Sequence, residues 1–523
     1  MDRRDFVKTG GWSILGLAAA GSILGCGSQE RKRIPAEARE RFARMRDLRI
    51  WWGDVHNHCN VTYGHGDLVD ALAAAREQLD FCSVTPHAMW PDMPHYDDPG
   101  MEWVMNYHRE AFARLRRGGF EKYVQMMREW NAPERFLTFI SYECHSMEHG
   151  DHVALCRDYD TPLVECESVP DLKEKLRGRR VYVTPHHMGY ITGFRGYNWA
   201  AFKDGDEMTP FVEMFSRHGL AETDMGDYDY LHDMGPRTYE GSVQYGLEQG
   251  HKFGLMCSTD QHAGYPGSYG DGRIGVFAPA LDKDSLWEAM GKRRVMGVTG
   301  DKIKIDFGIN GAGCGELIKA PGKRQIFVNV EAQNYIDYVD VVKNTGVVTR
   351  LDGPFVAELP QGDVVLSEGR IRDLQTCFRG AAFTSPQPGE TAFKTRVNKV
   401  LSKDERNVRL EMYSSKNPNT MTPATQGILL DVEMPLDAMI TADFNGKSFS
   451  HSLRELLQGS RAHFMRGWLS EAIRFNRAAP ESAFMAGAFF TDDKAERDTD
   501  YYYVRVRQRD GQWAWSSPIW VER

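Results

Sequence analysis

Ile50-Trp51-Trp52-Gly53-Asp54-Val55-His56-Asn57-His58 runs from apolar and aromatic residues into a His-x-His pair. In a β-strand successive side chains alternate faces, so His56 and His58 point the same way. Two imidazoles at the end of a buried strand are a ready-made pair of ligands for zinc, iron and other transition metals. In isolation the pair would sooner read as two surface histidines at a strand end. It is not isolated.

Histidines and carboxylates recur where later apolar runs stop. Val84-Thr-Pro-His87 closes one run, and Phe136-Leu-Thr-Phe-Ile-Ser-Tyr-Glu143 ends in a carboxylate. His152 precedes Val-Ala-Leu-Cys, and Val181-Tyr-Val-Thr-Pro is followed by His186 and His187. Phe211-Val-Glu213-Met-Phe-Ser-Arg217-His218 and Phe253-Gly-Leu-Met-Cys-Ser-Thr-Asp260-Gln-His262 complete the series. Such a series suggests one constellation gathered at one end of a parallel barrel, where catalytic groups come from the C-terminal ends of different strands. Helical patterns lie between the runs. Leu68, Ala71, Leu72, Ala75 and Leu79 share one face, residues 102–130 are long, charged and helix-favouring, and Asp171–Leu176 and Ser285–Met290 are shorter helical patterns. Strand–helix alternation predicts an α/β fold with a mainly parallel sheet.

The order His-x-His, His, Glu, His, His and Asp-x-His resembles the polymerase and histidinol phosphatase (PHP) metallohydrolases. The likeness spans Arg49 to Thr299, about half of the chain. It implies a distorted (β/α)7 TIM-like barrel with two or three divalent ions, zinc, manganese or iron. Two stretches, Phe211–Gly219 and Tyr501–Gln508 with Ala514–Val521, also resemble carbaryl-type carbamate hydrolases. One departure stands at Thr85-Pro86-His87, where PHP members often have Thr-Asp-His. Carried over residue by residue, the resemblance gives His56, His58, Glu143 and Asp260 to a first metal. Glu143 bridges to a second completed by His152 and His186, and His65, His87 and His262 hold a third. Glu143 and Asp260 take the catalytic roles. His145 and His149 compete with His152, and His187 competes with His186; strand alternation allows only one of the last two to be a direct ligand.

A carboxylate-bridged pair of divalent ions about 3.5–4 Å apart lowers the pKa of a shared water and clamps attacking and leaving oxygens. The expected enzyme is therefore a metal-dependent hydrolase using a metal-bridging hydroxide, foremost a phosphoesterase. The alternatives are a carbamate, carboxylic or sulfate ester hydrolase, or a non-catalytic, metal-stabilised surface lipoprotein. No Gly-x-Ser-x-Gly motif and no Walker A loop is present. Glu213, His218, Arg195 and Arg217 are candidate contacts to a small ester substrate, the arginines through bidentate binding of an anion. Glu222 is a further polar candidate, and the Gly264–Gly272 loop is a candidate lid.

The chain opens with Arg3-Arg4-Asp-Phe6-Val-Lys8, which resembles a twin-arginine export signal, followed by an apolar stretch from Trp12 to Leu24. That stretch is short for a bilayer span and ends at Leu24-Gly25-Cys26, which resembles a lipobox. The expectation is a signal over 1–26, lipidation of Cys26, a polar tether over 27–47 and a bacterial lipoprotein held in the periplasm or at the cell surface. The remainder divides into a barrel over 48–300 and a β-rich accessory domain over 301–523, read as an antiparallel sandwich. Within the latter, residues 452–457 and 467–475 have helical patterns, and Trp513, Trp515 and Trp520 suit buried sandwich positions.

With 523 residues, 41% of them hydrophobic and 26% charged, the chain can bury substantial cores. The net charge is −9 and no basic run with interleaved aromatics occurs, so nucleic acid is not an expected partner. Of nine cysteines, Cys59, Cys82, Cys144 and Cys257 read as small buried apolar residues. Cys156, Cys166, Cys314 and Cys377 are candidates for pairing in an oxidising compartment.

Overall fold

The computed structural model describes residues 48–95, 99–203, 205–224, 237–352, 364–377, 381–384, 394–412, 426–444, 446–465, 472–480 and 483–523. The export signal, Cys26 and the tether lie outside the described residues. The architecture is mixed α/β, rich in strands.

The histidine-bearing half carries β1 (Arg49–Asp54), β2 (Phe81–Cys82), β3 (His87–Met89), β4 (Leu137–Thr138), β5 (Ile140–Cys144) and β6 (His152–Cys156). It continues with β7 (Val181–Pro185), β8 (Phe211–Ser216), β9 (Gly219–Leu220), β10 (Gly254–Cys257), β11 (Arg273–Ala278) and β12 (Val295–Val298). Helix Leu68–Arg76 follows β1 and buries Ala71, Leu72 and Ala75, the face the sequence periodicity marked. The long helical segment is interrupted: Pro99–Arg114 and Phe120–Trp130 flank a wider turn where Gly118 adopts φ +90°. Tyr123 on the second of these helices donates to the Val84 carbonyl and accepts from the Ser141 amide, fixing the helix against two strands that lead to the site. Helices Val169–Lys175 and Lys283–Gly291 fall where predicted, each with a side-chain cap, from Ser168 and Asp282 respectively.

Among the described residues no closed barrel is found. The site-bearing strands belong to three separately hydrogen-bonded sheets. β1, β2 and β4 pair in parallel, as do β3 with β5 and β8 with β10. By contrast β5–β6, β6–β7, β1–β11 and β11–β12 are antiparallel. Only residues 145–151 separate β5 from β6, too few for the crossover that a parallel pair needs.

The sheet containing β1 also crosses residue 300. Strand Trp513–Ser516 pairs with β12 through Met296↔Ser516, Gly297↔Trp515 and Val298↔Ala514. Strand Thr499–Gln508 lies beside it. The faces of Lys304–Ile309 and Arg324–Glu331 pack into one core with Ile336–Lys343 and Thr499–Gln508, through Phe307, Val328, Val341 and Val504. Trp513, Trp515 and Trp520 are buried. Leu453–Gln458 is helical, with Ser452 and Glu455 forming a capping box. The second expected helix is corrected: Ala472–Phe475 is a strand paired with Arg461–Phe464, where alternate burial of Ile473 and Phe475 favours the two-residue period. Residues 467–471 lie outside the described residues.

Candidate metal centre

Asp54, fully buried at the end of β1, organises the floor. Its carboxylate accepts from the Thr259 hydroxyl at 2.6 Å and from the Gly267 amide at 2.8 Å. Burial raises its pKa, against the opposing pull of the Thr259 hydrogen bond. This carboxylate joins the His-x-His segment to the Asp-x-His segment, whose Asp260 amide donates to the His56 carbonyl. Asp260 adopts φ +45°, a conformation uncommon for a non-glycine residue. The Gly264–Gly272 loop is no exposed lid: Tyr265, Ser268 and Tyr269 are buried, and Arg273 holds the Gly267 carbonyl.

The histidine rings are anchored from behind. His56 Nδ1 lies 2.8 Å from Glu213 Oε2, and His58 Nδ1 donates to the Thr85 carbonyl at 2.6 Å. His87 Nδ1 sits 3.1 Å from the Thr62 hydroxyl. Each contact occupies Nδ1 and turns Nε2 inward, the arrangement that orients imidazole ligands. Glu213 thus stands behind His56, not at an open substrate surface.

Glu143 is the centre of the inward set. Oε1 lies 3.1 Å from His186 Nε2 and 3.1 Å from His145 Nδ1. Oε2 lies 3.2 Å from His87 Nε2, 3.6 Å from His58 Nε2 and 3.9 Å from His56 Nε2. Asp260 forms the opposite wall. Its Oδ1 is 2.9 Å from His58 Nε2 and 3.4 Å from His56 Nε2, and its Oδ2 is 3.2 Å from both His187 Nε2 and His218 Nε2. The groups able to hold an ion include His56–His58–Asp260, His56–Glu143–His186, His58–His87–His262, His87–Glu143–His145 and Asp151–His186–His187.

None of these five groups includes His65 or His152. The His65 amide donates to the His262 carbonyl, so its loop is held against the site by backbone. His152 pairs with Cys144 in the β5–β6 register, which places it on the face opposite Glu143. Its Nδ1 donates to the Gly150 carbonyl, its ring stands edge-on to Tyr197, and burial lowers its pKa to about 3. His149 forms its own loop contacts, its amide donating to Ser146. Of the three competing histidines, His145 is the one beside Glu143.

His186 and His187 both enter the site. β7 ends at Pro185, and His187 adopts φ +54°, so strand alternation no longer governs the pair. His187 spans Asp151 and Asp260, with Nδ1 3.3 Å from Asp151 Oδ2.

Asp151 is a site carboxylate that sequence patterning passed over. Fully buried, it lies 3.0 Å from His145 Nδ1 and accepts from Arg195 Nε at 2.7 Å. Arg195 is therefore committed to Asp151 and also rests over the Trp90 ring. Its mark in the sequence is its place next to His152, just before an apolar run. Tyr63 is the other addition: its ring stacks on His87 at 3.5 Å, and its hydroxyl is 3.2 Å from His145 Nε2. Arg217 is half-buried and lies close enough to His262 to act on its charge. Glu222 turns away and accepts from Tyr503 and Arg505 at 2.5 and 2.9 Å and from Trp515 at 3.0 Å.

The electrostatics are those of a dense mixed cluster. Burial opposes ionisation of Glu143, but His145 and His87 hold its carboxyl well below the usual range. Burial likewise opposes the Asp151 anion, and Arg195 and His145 overcome it. Burial pushes Glu213 up to about 7 despite His56. His186 falls to about 3 through burial and the neighbouring His56. His187, buried but close to the Asp151 carboxylate and hydrogen-bonded to that of Asp260, rises to about 9. Neutral and anionic donors in one buried set are what a divalent cation requires.

No protein-family model and no curated protein matches the chain. Among solved structures, it is similar to a two-domain protein of Bacteroides vulgatus ATCC 8482 containing a predicted PHP-like metal-dependent phosphoesterase. The identity is 12% and the TM-score 0.31, over 78% of this chain and all of that one.

Proposed function

We propose that the chain is a metal-dependent hydrolase, foremost a phosphoesterase. The observation that supports this most is the environment of Glu143 and His186. Oε2 of Glu143 and Nε2 of His186 are buried without a hydrogen-bond partner, although Oε2 lies 3.2 Å from His87 Nε2 and Nε2 lies 3.1 Å from Glu143 Oε1. Leaving such atoms unpaired costs about 1–3 kcal/mol each, and more for a charged group. A cation at their convergence removes that cost. His56, His58 and Asp260 would hold one ion, His186 another, and Glu143 would be shared between them. His58, His87 and His262 offer a third place.

Divalent ions there would supply Lewis acidity, activating water near neutral pH and stabilising charge on phosphoryl oxygens. Glu213 keeps His56 in one orientation, and Thr85 does so for His58. Arg195 keeps Asp151 ionised, and Asp151 holds His145 and His187. Tyr63 covers the His87 side and presents a hydroxyl there. Arg217, beside His262, favours an anionic substrate and so a phosphoester over a neutral carboxylic or carbamate ester.

The exported, Cys26-anchored form read from the first residues belongs to the same proposal: a surface hydrolase for small esters. Metal analysis of the native protein, followed by turnover on p-nitrophenyl phosphate, bis-p-nitrophenyl phosphate, p-nitrophenyl acetate, p-nitrophenyl sulfate and an aryl carbamate, tests it. Chelator-sensitive hydrolysis of a phosphate substrate is expected. Metal-dependent turnover confined to acetate or carbamate would overturn the phosphoesterase assignment, and a metal-loaded protein inert on every substrate would overturn the hydrolase.

A further inference from the structure

Cys144 directly follows Glu143 on β5 and faces the other way, into the apolar core behind the metal centre. Its thiol meets that of Cys166, with the two Sγ atoms 3.7 Å apart across 22 residues of chain. Cys166 Sγ is also 3.1 Å from Met89 Sδ, and Met89 is the β3 register partner of Cys144. Three sulfur side chains therefore converge on one spot. Cys144 is buried, whereas Cys166 is half-buried in the segment leading to helix Val169–Lys175. Cys166 is thus the more exposed of the two residues.

From this arrangement we infer that Cys144 and Cys166 are a disulfide-forming pair. The oxidant is a low-molecular-weight or protein disulfide. The Cys166 thiolate attacks one of its sulfurs, forming a mixed disulfide and releasing the other sulfur as a thiol. The Cys144 thiolate then attacks Cys166 Sγ, the mixed S–S bond breaks, and the second thiol leaves. Two thiol protons and two electrons pass to the oxidant, which is reduced to two thiols. Closing from van der Waals contact to a bond of about 2.05 Å asks a short movement of the 166 segment, not of the strand. The product fastens residues 157–168 to the strand that carries Glu143. The inference is independent of the proposed hydrolase chemistry, because neither thiol faces the histidine cluster.

The test uses the full chain, reduced, then incubated folded with glutathione disulfide, blocked with an alkylating reagent and cleaved with trypsin. The expected product is the 136–157 peptide joined to the 158–173 peptide, lighter by two hydrogens than the two thiol peptides together. The first peptide also holds Cys156, so fragmentation must place the link on Cys144, and a Cys156→Ser variant must retain it. Cys166→Ser must abolish it. Separate alkylation of Cys144 and Cys166 after oxidation, or a link from Cys166 to Cys156, overturns the pair.

Discussion

His186 Nε2 and Glu143 Oε1 lie 3.1 Å apart, both buried, in an orientation that leaves the His186 nitrogen without a hydrogen bond. Two polar atoms so placed are explained by a third body between or beside them. Glu143→Gln keeps the volume and removes the charge that two ions would share. Turnover is expected to fall on the order of 10³-fold or more. Bound metal should fall as well, since their mutual repulsion would no longer be offset. Metal stoichiometry and far-ultraviolet circular dichroism, measured together, separate this from unfolding. Full metal content with normal turnover would refute the shared carboxylate.

His187 and His152 reverse the importance their sequence positions suggested. His187 reaches Asp151 and Asp260, while His152 lies on the other face of β6 with Tyr197. His187→Ala is expected to lower turnover by about 10–100-fold, through loss of orientation of the two carboxylates. His152→Gln should leave metal content near normal and act, if at all, on thermal stability. A metal-depleted His152→Gln beside a fully active His187→Ala would restore the order expected from strand alternation.

The legible part of this chain was chemical. His56, His58, His87, Glu143, His186, Asp260 and His262 each end an apolar run, and burial at a strand end is what a local pattern encodes. Asp151 and Tyr63 were hidden because nothing in their neighbours' spacing distinguishes them from loop residues; only the β5–β6 hairpin and the 60–66 loop bring them in. His187 enters beside His186 because a left-handed residue breaks the two-residue period. Strand direction is hard to read for a related reason. Alternating helices and strands look alike whether strands pair in parallel or antiparallel, and connection length, as at 145–151, decides. The joining of β12 to strand Trp513–Ser516 spans more than two hundred residues and leaves no local trace.

Glu222 tests that long-range joint. Its buried carboxylate accepts from Tyr503, Arg505 and Trp515. Glu222→Ala strips the Arg505 guanidinium of one buried partner while leaving Asp340, so a cost of about 3–5 kcal/mol is an upper bound. A clear drop in the unfolding midpoint with metal content retained is expected. Loss of turnover at unchanged stability would instead give Glu222 a role at the substrate.

Asp306 provides a pH test remote from the metal centre. It lies on strand Lys304–Ile309 opposite Asn329, and its Oδ1 is buried without a hydrogen bond. Burial, aided by Glu331, raises its pKa from 3.8 to about 6. A carboxyl whose folded pKa is raised contributes stability fully below the unfolded value and loses it as pH rises through the folded value. The native state should therefore be penalised increasingly from about pH 4 to about pH 7 as Asp306 ionises. Asp306→Asn removes that titration. Relative to the unmodified chain the variant should gain about 1–2 kcal/mol across this interval, less than the full shift implies because the group is partly solvated. Denaturation midpoints of both proteins at about pH 4, 5.5 and 7.5 check the sign, because groups common to both cancel in the difference. A constant offset across those pH values would mean that Asp306 ionises in the folded chain as it does in the unfolded one.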